Sequence, residues 1–289
     1  MLKPEYVYQP RRLLARLKSG GNRHSAVAET AFGFPLDIMP DELISNSIRR
    51  KGMYDIVTAE TIYRLLDPGA KAIDAGAHVG LMSVTMALKV GAAGSVQSFE
   101  PHPAVYPVLS RNAVRFNAAI GAEVIRTCPF ALSDVSSAVP LFLPDDWNRN
   151  TGVARLGSGT GTPVTVESKT LDEVAIPDPV LMKIDVEGHE LAVLSGGSKI
   201  LARLRDIVFE DFAVYPSPVM ALLEQQGFQI FALSRTLSRP LLAPADRRGV
   251  PERADPNYLA TRNPNRARER FQPGGWNVLR KLFLAQFSP

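Results

Sequence analysis

The residues that decide the fold are 72–80, with the sequence AIDAGAHVG, and 95–100, with the sequence SVQSFE. The pattern predicts a strand, a tight glycine turn, a helix and a second strand, with an acidic residue at the end of each strand. Gly76 lets the backbone turn sharply and approach a ligand, and Gly80 lets the helix pack closely on the sheet. Glu100 lies where a carboxylate can accept hydrogen bonds from both hydroxyls of a ribose. The two segments therefore predict a doubly wound α/β sheet with a nucleoside site.

The turn favours a nucleoside without phosphates over a dinucleotide. A pyrophosphate site needs the pattern G-x-G-x-x-G, and His78 occupies the position of the second glycine, where a side chain crowds the phosphates. Asp74 adds an anion that repels phosphates and suits a cationic ligand. We therefore expect S-adenosylmethionine, and an NAD-linked oxidoreductase is the disfavoured alternative. An ordinary βα turn without a ligand is a second alternative, which the positions of both acids disfavour.

Composition and charge restrict the class of protein. At 289 residues, with 45% hydrophobic and 21% charged residues, the chain suits one large globular α/β domain with extensions. The single cysteine, Cys128, excludes an intrachain disulfide framework. Positive charge is concentrated in residues 1–24 and 235–281, which we interpret as solvated basic ends and not as a specific nucleic-acid site. No apolar run approaches the roughly 18 residues of a membrane span, so we expect a cytoplasmic protein.

Further strands are predicted to bring acidic residues to one edge of the sheet. Residues 180–185 and 207–211 read as buried strands that also end in acids. In doubly wound sheets the ligand binds outside the carboxyl ends of the strands. The acids expected to surround one cleft are Asp74, Glu100, Asp185 and Glu210.

Four other segments complete the predicted organisation. Ser133 and Asp134 lie just beyond the third strand, where a loop would close over an adenine ring. Residues 148–162, rich in Gly, Ser, Thr and Asn, predict a substrate-side loop. Residues 234–256 read as a Pro- and Arg-rich excursion between the last two strands. Residues 276–287 have apolar residues at near-helical spacing, which predicts a docked C-terminal helix.

The chain resembles the FkbM-type S-adenosylmethionine-dependent methyltransferases in three blocks. These are residues 73–80 (IDAGAHVG), residues 98–103 (SFEPHP) followed by Asn112 and Asn117, and residues 170–173 (TLDE) leading to 183–190 (KIDVEGHE). The last block is the most specific. The resemblance implies a Rossmann-like class I methyltransferase fold with a seven-stranded, mostly parallel sheet. Two departures are His78, where the family most often has Asn, and Asp55, where it often has Glu. The family resemblance and the positions of acids at strand ends together predict the residues that bind the methyl donor. They are Asp74, Gly76, Ala77, His78, Gly80, Glu100, Pro101, Ser133, Asp134 and Asp185.

The resemblance also suggests a division of the chain into three parts. We expect an N-terminal extension or lid (1–51), a methyltransferase domain (52–261), and a basic tail with a C-terminal helix (262–289). The sequence makes no prediction of the oligomeric state.

The expected reaction is O-methylation of a hydroxyl in a small-molecule or glycan acceptor, with S-adenosylhomocysteine as the product. An aliphatic alcohol needs a base, because it does not ionise unaided at neutral pH. We expect His189 as the proton acceptor, with Asp185 and Glu187 orienting the acceptor and no metal ion. A divalent cation shared by Asp185 and Glu210 is the alternative.

Two alternatives from other functional classes stay open. One is a catalytically inactive binding protein of the same fold, which the intact donor blocks disfavour. The other is a nucleic-acid methyltransferase, which the basic C-terminal end favours. The predicted acidic cleft opposes it, because acids repel phosphates.

Overall fold

The computed structural model describes residues 3–12, 26–40, 42–145, 154–174, 177–250, 256–280 and 283. Within these ranges the strands, in chain order, are β1 (Val27–Glu29), β2 (Pro35–Asp37), β3 (Lys71–Ala75), β4 (Ser95–Phe99), β5 (Ile125–Cys128), β6 (Ala131–Ser133), β7 (Ser137–Leu143), β8 (Arg155–Leu156), β9 (Thr162–Thr170), β10 (Leu181–Ile184), β11 (Asp206–Glu210), β12 (Gln229–Arg235), β13 (Pro240–Pro244) and β14 (Asn257–Thr261). The helices are α1 (Pro4–Tyr8), α2 (Leu43–Lys51), α3 (Ile56–Leu65), α4 (Leu81–Val90), α5 (Tyr106–Ile120), α6 (Glu190–Ser195), α7 (Ser198–Leu201), α8 (Pro218–Gln225) and α9 (Pro264–Phe271), followed by a 3₁₀ turn at Asn277–Leu279.

The central sheet has the strand order β13-β12-β14-β11-β10-β3-β4-β5. The five strands from β11 to β5 are parallel, and β14 lies antiparallel between β11 and β12. Helices connect β3 to β4, β4 to β5 and β10 to β11, whereas the chain between β5 and β10 forms a second sheet. The predicted doubly wound, mostly parallel α/β sheet is therefore confirmed.

The sheet has one strand more than the seven expected. β13 pairs antiparallel with β12 at the edge, where Pro240 lies opposite Arg235 and Pro244 lies opposite Phe231. The sequence pattern assigns this segment to an excursion, because proline cannot donate to a sheet ladder. An edge strand tolerates proline, since one of its sides has no neighbouring strand.

Two apolar clusters cover the two faces of the central sheet. Side chains alternate along each strand, so Ala72 and Leu181 belong to one cluster, whereas Ile73 and Met182 belong to the other. Because both faces are buried, most residues of β3 and β10 are apolar, with Asp74 and Lys183 as the buried charged exceptions.

A second sheet, in the order β6-β9-β7-β8, follows β5. β7 and β9 form a long antiparallel pair, and β6 pairs parallel with β9. The predicted substrate-side loop falls here: residues 148–153 lie outside the described part of the chain, and residues 154–162 contain β8 and the turn into β9. The loop prediction therefore missed a short strand that β7 holds in place.

The C-terminal residues are integrated into the packed structure through Glu60 on α3. Glu60 is fully buried and accepts hydrogen bonds from Arg64 Nε at 2.8 Å, Asn277 Nδ2 at 2.9 Å and the amide of Val278 at 3.0 Å. Trp276 is also fully buried and donates its Nε1 hydrogen to a backbone carbonyl at 3.0 Å. The segment thus supplies both apolar and polar groups to the core.

The helix predicted for residues 276–287 is only partly formed in its described part: residues 277–279 form a 3₁₀ turn, and Phe283 is helical. Trp276 leads into the 3₁₀ turn, and Phe283 packs against Phe34 and donates its amide hydrogen to the carbonyl oxygen of Phe32 at 3.0 Å. The contacts of Asn277 and Val278 with Glu60 hold this turn by tertiary interactions, which periodicity does not reveal. Residues 281–282 and 284–289 lie outside the described residues.

The N-terminal segment packs on α5 beside the glycine turn. Asn112 accepts a hydrogen bond from the Asp37 amide at 2.7 Å and donates to the carbonyl oxygens of Asp37 at 2.9 Å and Val79 at 2.8 Å. Phe32 and Phe34 are fully buried in the core. The division of the chain into three parts stays a prediction. None of the helices in the described ranges has the length and apolar character needed to cross a bilayer.

Candidate active site

The glycine turn after β3 packs tightly against both neighbouring strands. Gly76 has a φ of +73°, and a Cβ atom there would lie 1.9 Å from the carbonyl oxygen of Asp185. The amides of Gly76 and Ala77 donate to the carbonyl oxygen of Phe99 at 3.0 and 2.9 Å. A side chain at position 76 would force the turn away from these strands. At Gly80, a Cβ atom would lie 2.9 Å from a leucine methyl group of α5.

Glu100 follows the end of β4 and lies buried on the wall of a cavity. Its Oε2 accepts a hydrogen bond from the amide of His78 at 2.8 Å, and its Oε1 accepts one from the amide of His102 at 2.9 Å. Burial raises the pKa of Glu100 to about 7, and the two amide hydrogen bonds partly oppose this effect. A carboxylate has about four acceptor positions, so Glu100 retains the capacity to bind two further donors.

Asp74, in contrast, does not line the cavity, and its predicted position on the rim of the cleft is corrected. It is fully buried, accepts a hydrogen bond from Ser83 Oγ at 2.6 Å, and lies 3.6 Å from Lys183 Nζ. The reason is its register: Asp74 is inside β3, opposite Lys183 and Ser98 on the adjacent strands, and shares their face of the sheet. Three of the four predicted acids do line the cavity: Glu100, Asp185 and Glu210.

The cavity has a volume of about 310 Å³ and opens at the carboxyl ends of the central strands. The half above β3, β4 and β5, here called the donor half, includes Gly76, His78, Glu100, Pro101, His102, Phe130 and Leu132. The half above β10, β11 and β14, here called the acid half, includes Asp185, Glu187, His189, Glu210 and Asn257. Ala77 reaches only a smaller adjoining pocket, and Gly80 lies buried beneath the turn.

Lys183 is a residue of the site that the sequence analysis did not select. It is 5% exposed, and its Nζ donates to the carbonyl oxygen of Gly76 at 2.7 Å. The same atom lies 3.6 Å from Asp74 Oδ1 and 3.5 Å from Asp185 Oδ2. Burial acts to lower the pKa of Lys183, but the carboxylates of Asp185 and Asp74 outweigh burial, so the pKa is raised. The available signal was a single charged residue inside an otherwise apolar strand.

Three carboxylates converge in the acid half. One oxygen from each of Asp185, Glu187 and Glu210 lies within 4.8 Å of the other two. Burial, followed by the charge of Asp185, raises the pKa of Glu187 to about 7 and that of Glu210 to about 8. The cluster therefore favours a positively charged occupant or bound protons. Its oxygen atoms are of the type that binds Mg²⁺ or Ca²⁺, so these residues are the ones that could hold a divalent cation.

His189 lines the cavity at the start of α6, with a chain of two hydrogen bonds behind it. Its Nε2 lies 2.8 Å from Ser133 Oγ, which donates to Asp134 Oδ1 at 3.0 Å. Because the hydroxyl hydrogen of Ser133 points to Asp134, Ser133 accepts the Nε2 hydrogen and Nδ1 is the basic nitrogen. Burial lowers the pKa of His189, although the Asp134 charge opposes this effect, so the ring is neutral near pH 7.

The segment predicted to cover an adenine ring is only partly at the cavity. Phe130 and Leu132 line it, whereas Ser133 and Asp134 do not, contrary to the prediction. Ser133 is buried behind His189, and Asp134 is exposed. Ser133 is the last residue of the short strand β6, and its hydroxyl is occupied by hydrogen bonds with His189 and Asp134.

Three non-glycine residues with left-handed backbone line the same cavity: Asp55 (φ 46°), His78 (φ 50°) and Glu187 (φ 54°). Such conformations cost about 1–3 kcal/mol each and are concentrated at functional sites. Asp55 caps α3 through the amide of Thr58, and its Oδ2 accepts a hydrogen bond from Asn257 Nδ2 at 3.0 Å. Asp55 and Asn257 are thus further polar groups of the acid half that the sequence analysis did not assign.

A family model described as the methyltransferase FkbM domain matches residues 74–230, which is more than half of the chain. The methyltransferase sdnD of Sordaria araneosa is 32% identical over 194 residues, which cover 55% of this chain and 73% of that protein. The hexuronic acid methyltransferase AglP of Haloferax volcanii is 29% identical over 213 residues, covering 72% and 84% of the two chains.

Among solved structures, the methyltransferase FkbM of Methylobacillus flagellatus KT aligns with a TM-score of 0.48 and 16% identity, over 70% of this chain and 47% of that chain. The matched family region contains the glycine turn, Glu100 and the acidic cluster. The chain therefore belongs to the FkbM family of S-adenosylmethionine-dependent methyltransferases.

Proposed function

We propose that this enzyme transfers the methyl group of S-adenosylmethionine to a hydroxyl oxygen of a small-molecule or sugar-containing acceptor. The main supporting observation is that one cavity joins Glu100 and the glycine turn to the carboxylates and imidazole of the acid half. A donor and an acceptor that share a cavity can be held in line. Alignment is the main requirement when the donor already contains its leaving group.

The residues of the donor half fit the nucleoside part of this donor. Glu100 retains acceptor capacity for two ribose hydroxyls, and Phe130 and Leu132 provide an apolar surface for an adenine ring. Gly76 lines the same half, and its lack of a side chain lets the turn pack directly beside the backbone of Asp185. When bound, the donor supplies an electrophilic methyl group on its sulfonium. The protein residues bind it and exclude water.

In this proposal His189 accepts the proton of the acceptor hydroxyl through Nδ1. The hydrogen bond to Ser133 fixes the neutral tautomer, and the lowered pKa keeps the ring unprotonated near pH 7. Asp185, whose side chain is 41% exposed, and Glu187 line the same cavity and orient the hydroxyl. Release of S-adenosylhomocysteine and the methyl ether, and loss of the proton from His189 to solvent, complete the cycle.

The charge of the acid half favours an uncharged acceptor group. Burial and the charge of Asp185 already raise the pKa of Glu187 and Glu210, so a further anion is disfavoured there and a hydroxyl is preferred over a carboxylate as the methyl acceptor. The same repulsion opposes a nucleic-acid acceptor. The relative AglP is named a hexuronic acid methyltransferase, and this name supports a sugar as the molecule that carries the hydroxyl. The inactive binding protein is disfavoured by the intact donor half.

The acceptor class is tested by incubating the enzyme with methyl-labelled S-adenosylmethionine and methyl glycosides of neutral hexoses, deoxyhexoses and hexuronic acids. We expect label in a methyl ether of a neutral sugar. Label found as the methyl ester of a uronic acid would contradict the hydroxyl assignment. Absence of label from every glycoside would contradict the sugar assignment.

The role of a metal ion is tested in the same assay with EDTA. We expect transfer to persist, because His189 supplies the base. Complete loss of transfer, restored by Mg²⁺, would instead support the alternative in which Asp185 and Glu210 hold a cation that acidifies the hydroxyl. An Asp185→Asn variant that no longer responds to Mg²⁺ would strengthen that alternative.

A further inference from the structure

Lys183 connects the two halves of the cavity from beneath. It belongs to β10, the strand that pairs with β3 of the donor half and β11 of the acid half. Its ammonium group donates to the carbonyl oxygen of Gly76 at 2.7 Å and lies 3.5 Å from Asp185 Oδ2. On its buried side it lies 3.6 Å from Asp74 Oδ1.

A buried lysine at this position is not needed for stability, because apolar residues in place of both partners of its buried ion pair would stabilise the fold about as well. Its neighbours Leu181, Met182 and Ile184 are fully buried apolar residues, and an apolar side chain would continue that pattern. Replacing a buried ion pair by apolar residues of similar volume is often neutral or stabilising. The ammonium donates to the carbonyl oxygens of Gly76 at 2.7 Å and Ala75 at 3.5 Å, and it lies 3.6 Å or less from one oxygen of each of two carboxylates.

We propose that Lys183 is a positioning residue that fixes the glycine turn and the Asp185 carboxylate relative to each other. The fully buried charge of Asp74 holds the ammonium in place. The ammonium in turn holds the Gly76 carbonyl and Asp185, so the donor half and the acid half keep one geometry. This inference rests on the proposed binding of the donor in this cavity.

The test measures S-adenosylhomocysteine binding by calorimetry and thermal stability for each variant. Lys183→Met removes the ammonium and keeps a side chain of similar length. We expect its affinity for S-adenosylhomocysteine to fall about tenfold or more, the size of a typical coupling between contacting groups. Ser83→Ala is the matched control, because it removes a hydrogen bond to the same buried Asp74 without touching Gly76 or Asp185. We expect it to lower the melting temperature and leave the affinity unchanged.

A double-mutant cycle shows whether Lys183 acts through Asp185. In the Asp185→Asn background, Lys183→Met should weaken binding by clearly less than it does in the wild type. If the two losses multiply as independent effects, or if Lys183→Met binds like Ser83→Ala, the inference is overturned while the donor site stands. If wild-type protein does not bind S-adenosylhomocysteine, the donor site itself is wrong and the inference falls with it.

Lys183→Met leaves Asp74 as an unpaired buried charge, which can prevent folding. In that event the same measurements use the double variant Asp74→Asn/Lys183→Met, in which both buried charges are replaced by neutral side chains of similar size. We expect this variant to melt cooperatively and to show the same loss of affinity. Wild-type affinity in the folded double variant would refute a positioning role for Lys183.

Discussion

Replacing Glu100 with glutamine gives the sharpest test of the donor half. In the structure one carboxylate oxygen accepts the His78 amide at 2.8 Å and the other accepts the His102 amide at 2.9 Å. Glutamine has a single oxygen, so its NH₂ group must face one of these amides and cannot accept from it. The same NH₂ group cannot accept a hydrogen bond from a ribose hydroxyl. The change therefore removes acceptors with almost no change in volume.

The expected loss of affinity follows from the hydrogen bonds removed. A hydrogen bond to a charged group contributes about 1.5–3 kcal/mol. The loss of one such bond to the ribose weakens binding by roughly 10- to 150-fold, since about 1.4 kcal/mol corresponds to a factor of ten. Glu100→Gln should therefore bind S-adenosylhomocysteine at least about tenfold more weakly than the wild type.

The pH dependence of binding provides a second signature. Burial raises the pKa of Glu100 to about 7, so the carboxyl group is largely protonated below that pH and ionised above it. Ribose hydroxyls donate more strongly to the ionised form. The affinity of the wild type for S-adenosylhomocysteine should thus increase between about pH 6 and about pH 8, and that of Glu100→Gln should show no such increase.

Isothermal calorimetry on folded protein measures both quantities. Glu123→Gln is the matched control, because it makes the same chemical change at an exposed surface ion pair with Arg126. It should bind S-adenosylhomocysteine as the wild type does. Equal affinities of Glu100→Gln and Glu123→Gln, or a wild-type affinity that does not change with pH, would refute the assignment of Glu100 to the ribose.

Three further changes test other parts of the structure. Gly76→Ala should abolish donor binding or folding, because the added Cβ would lie 1.9 Å from a backbone oxygen. The control Gly121→Ala is also at positive φ, but its added Cβ would meet no atom within 4 Å beyond its own and the adjacent residues. It should lower the free energy of unfolding, measured by denaturant titration, by only about 1–2 kcal/mol. Glu60→Ala should lower the free energy of unfolding by about 3–5 kcal/mol, as removal of one partner of a buried ion pair does. The control Glu269→Ala, at an exposed position, should change the free energy of unfolding by less than about 0.5 kcal/mol. A small effect of Glu60→Ala would contradict the packing of the C-terminal segment on Glu60. His189→Ala should reduce turnover about a hundredfold at unchanged S-adenosylhomocysteine affinity, and full activity would reject His189 as the base.

The behaviour of the four strand-end acids shows where sequence reasoning stops. All four follow apolar runs, and the pattern alone assigns all of them to one cleft. Glu100 and Asp185 come directly after the last residue of β4 and β10, and both line the cavity. Asp74 lies one residue before the end of β3, so its side chain is committed to a face of the sheet. A difference of one or two residues in strand ending therefore decides which acid reaches the ligand.

The sequence by itself determined the features that short-range rules control. Apolar periodicity predicts the parallel strands and most of the helices that cover them, and the glycine turn after β3 follows from the backbone conformation that only glycine adopts easily there. The edge position of the proline-containing β13 and the Ser133 contact behind His189 depend on residues far apart in the chain. The contacts of Lys183 with Asp74 and the hydrogen bonds that Glu60 accepts from the C-terminal segment also depend on residues far apart in the chain. Only the tertiary structure decides these, because the free energy of a buried polar group depends on the partners that folding brings to it.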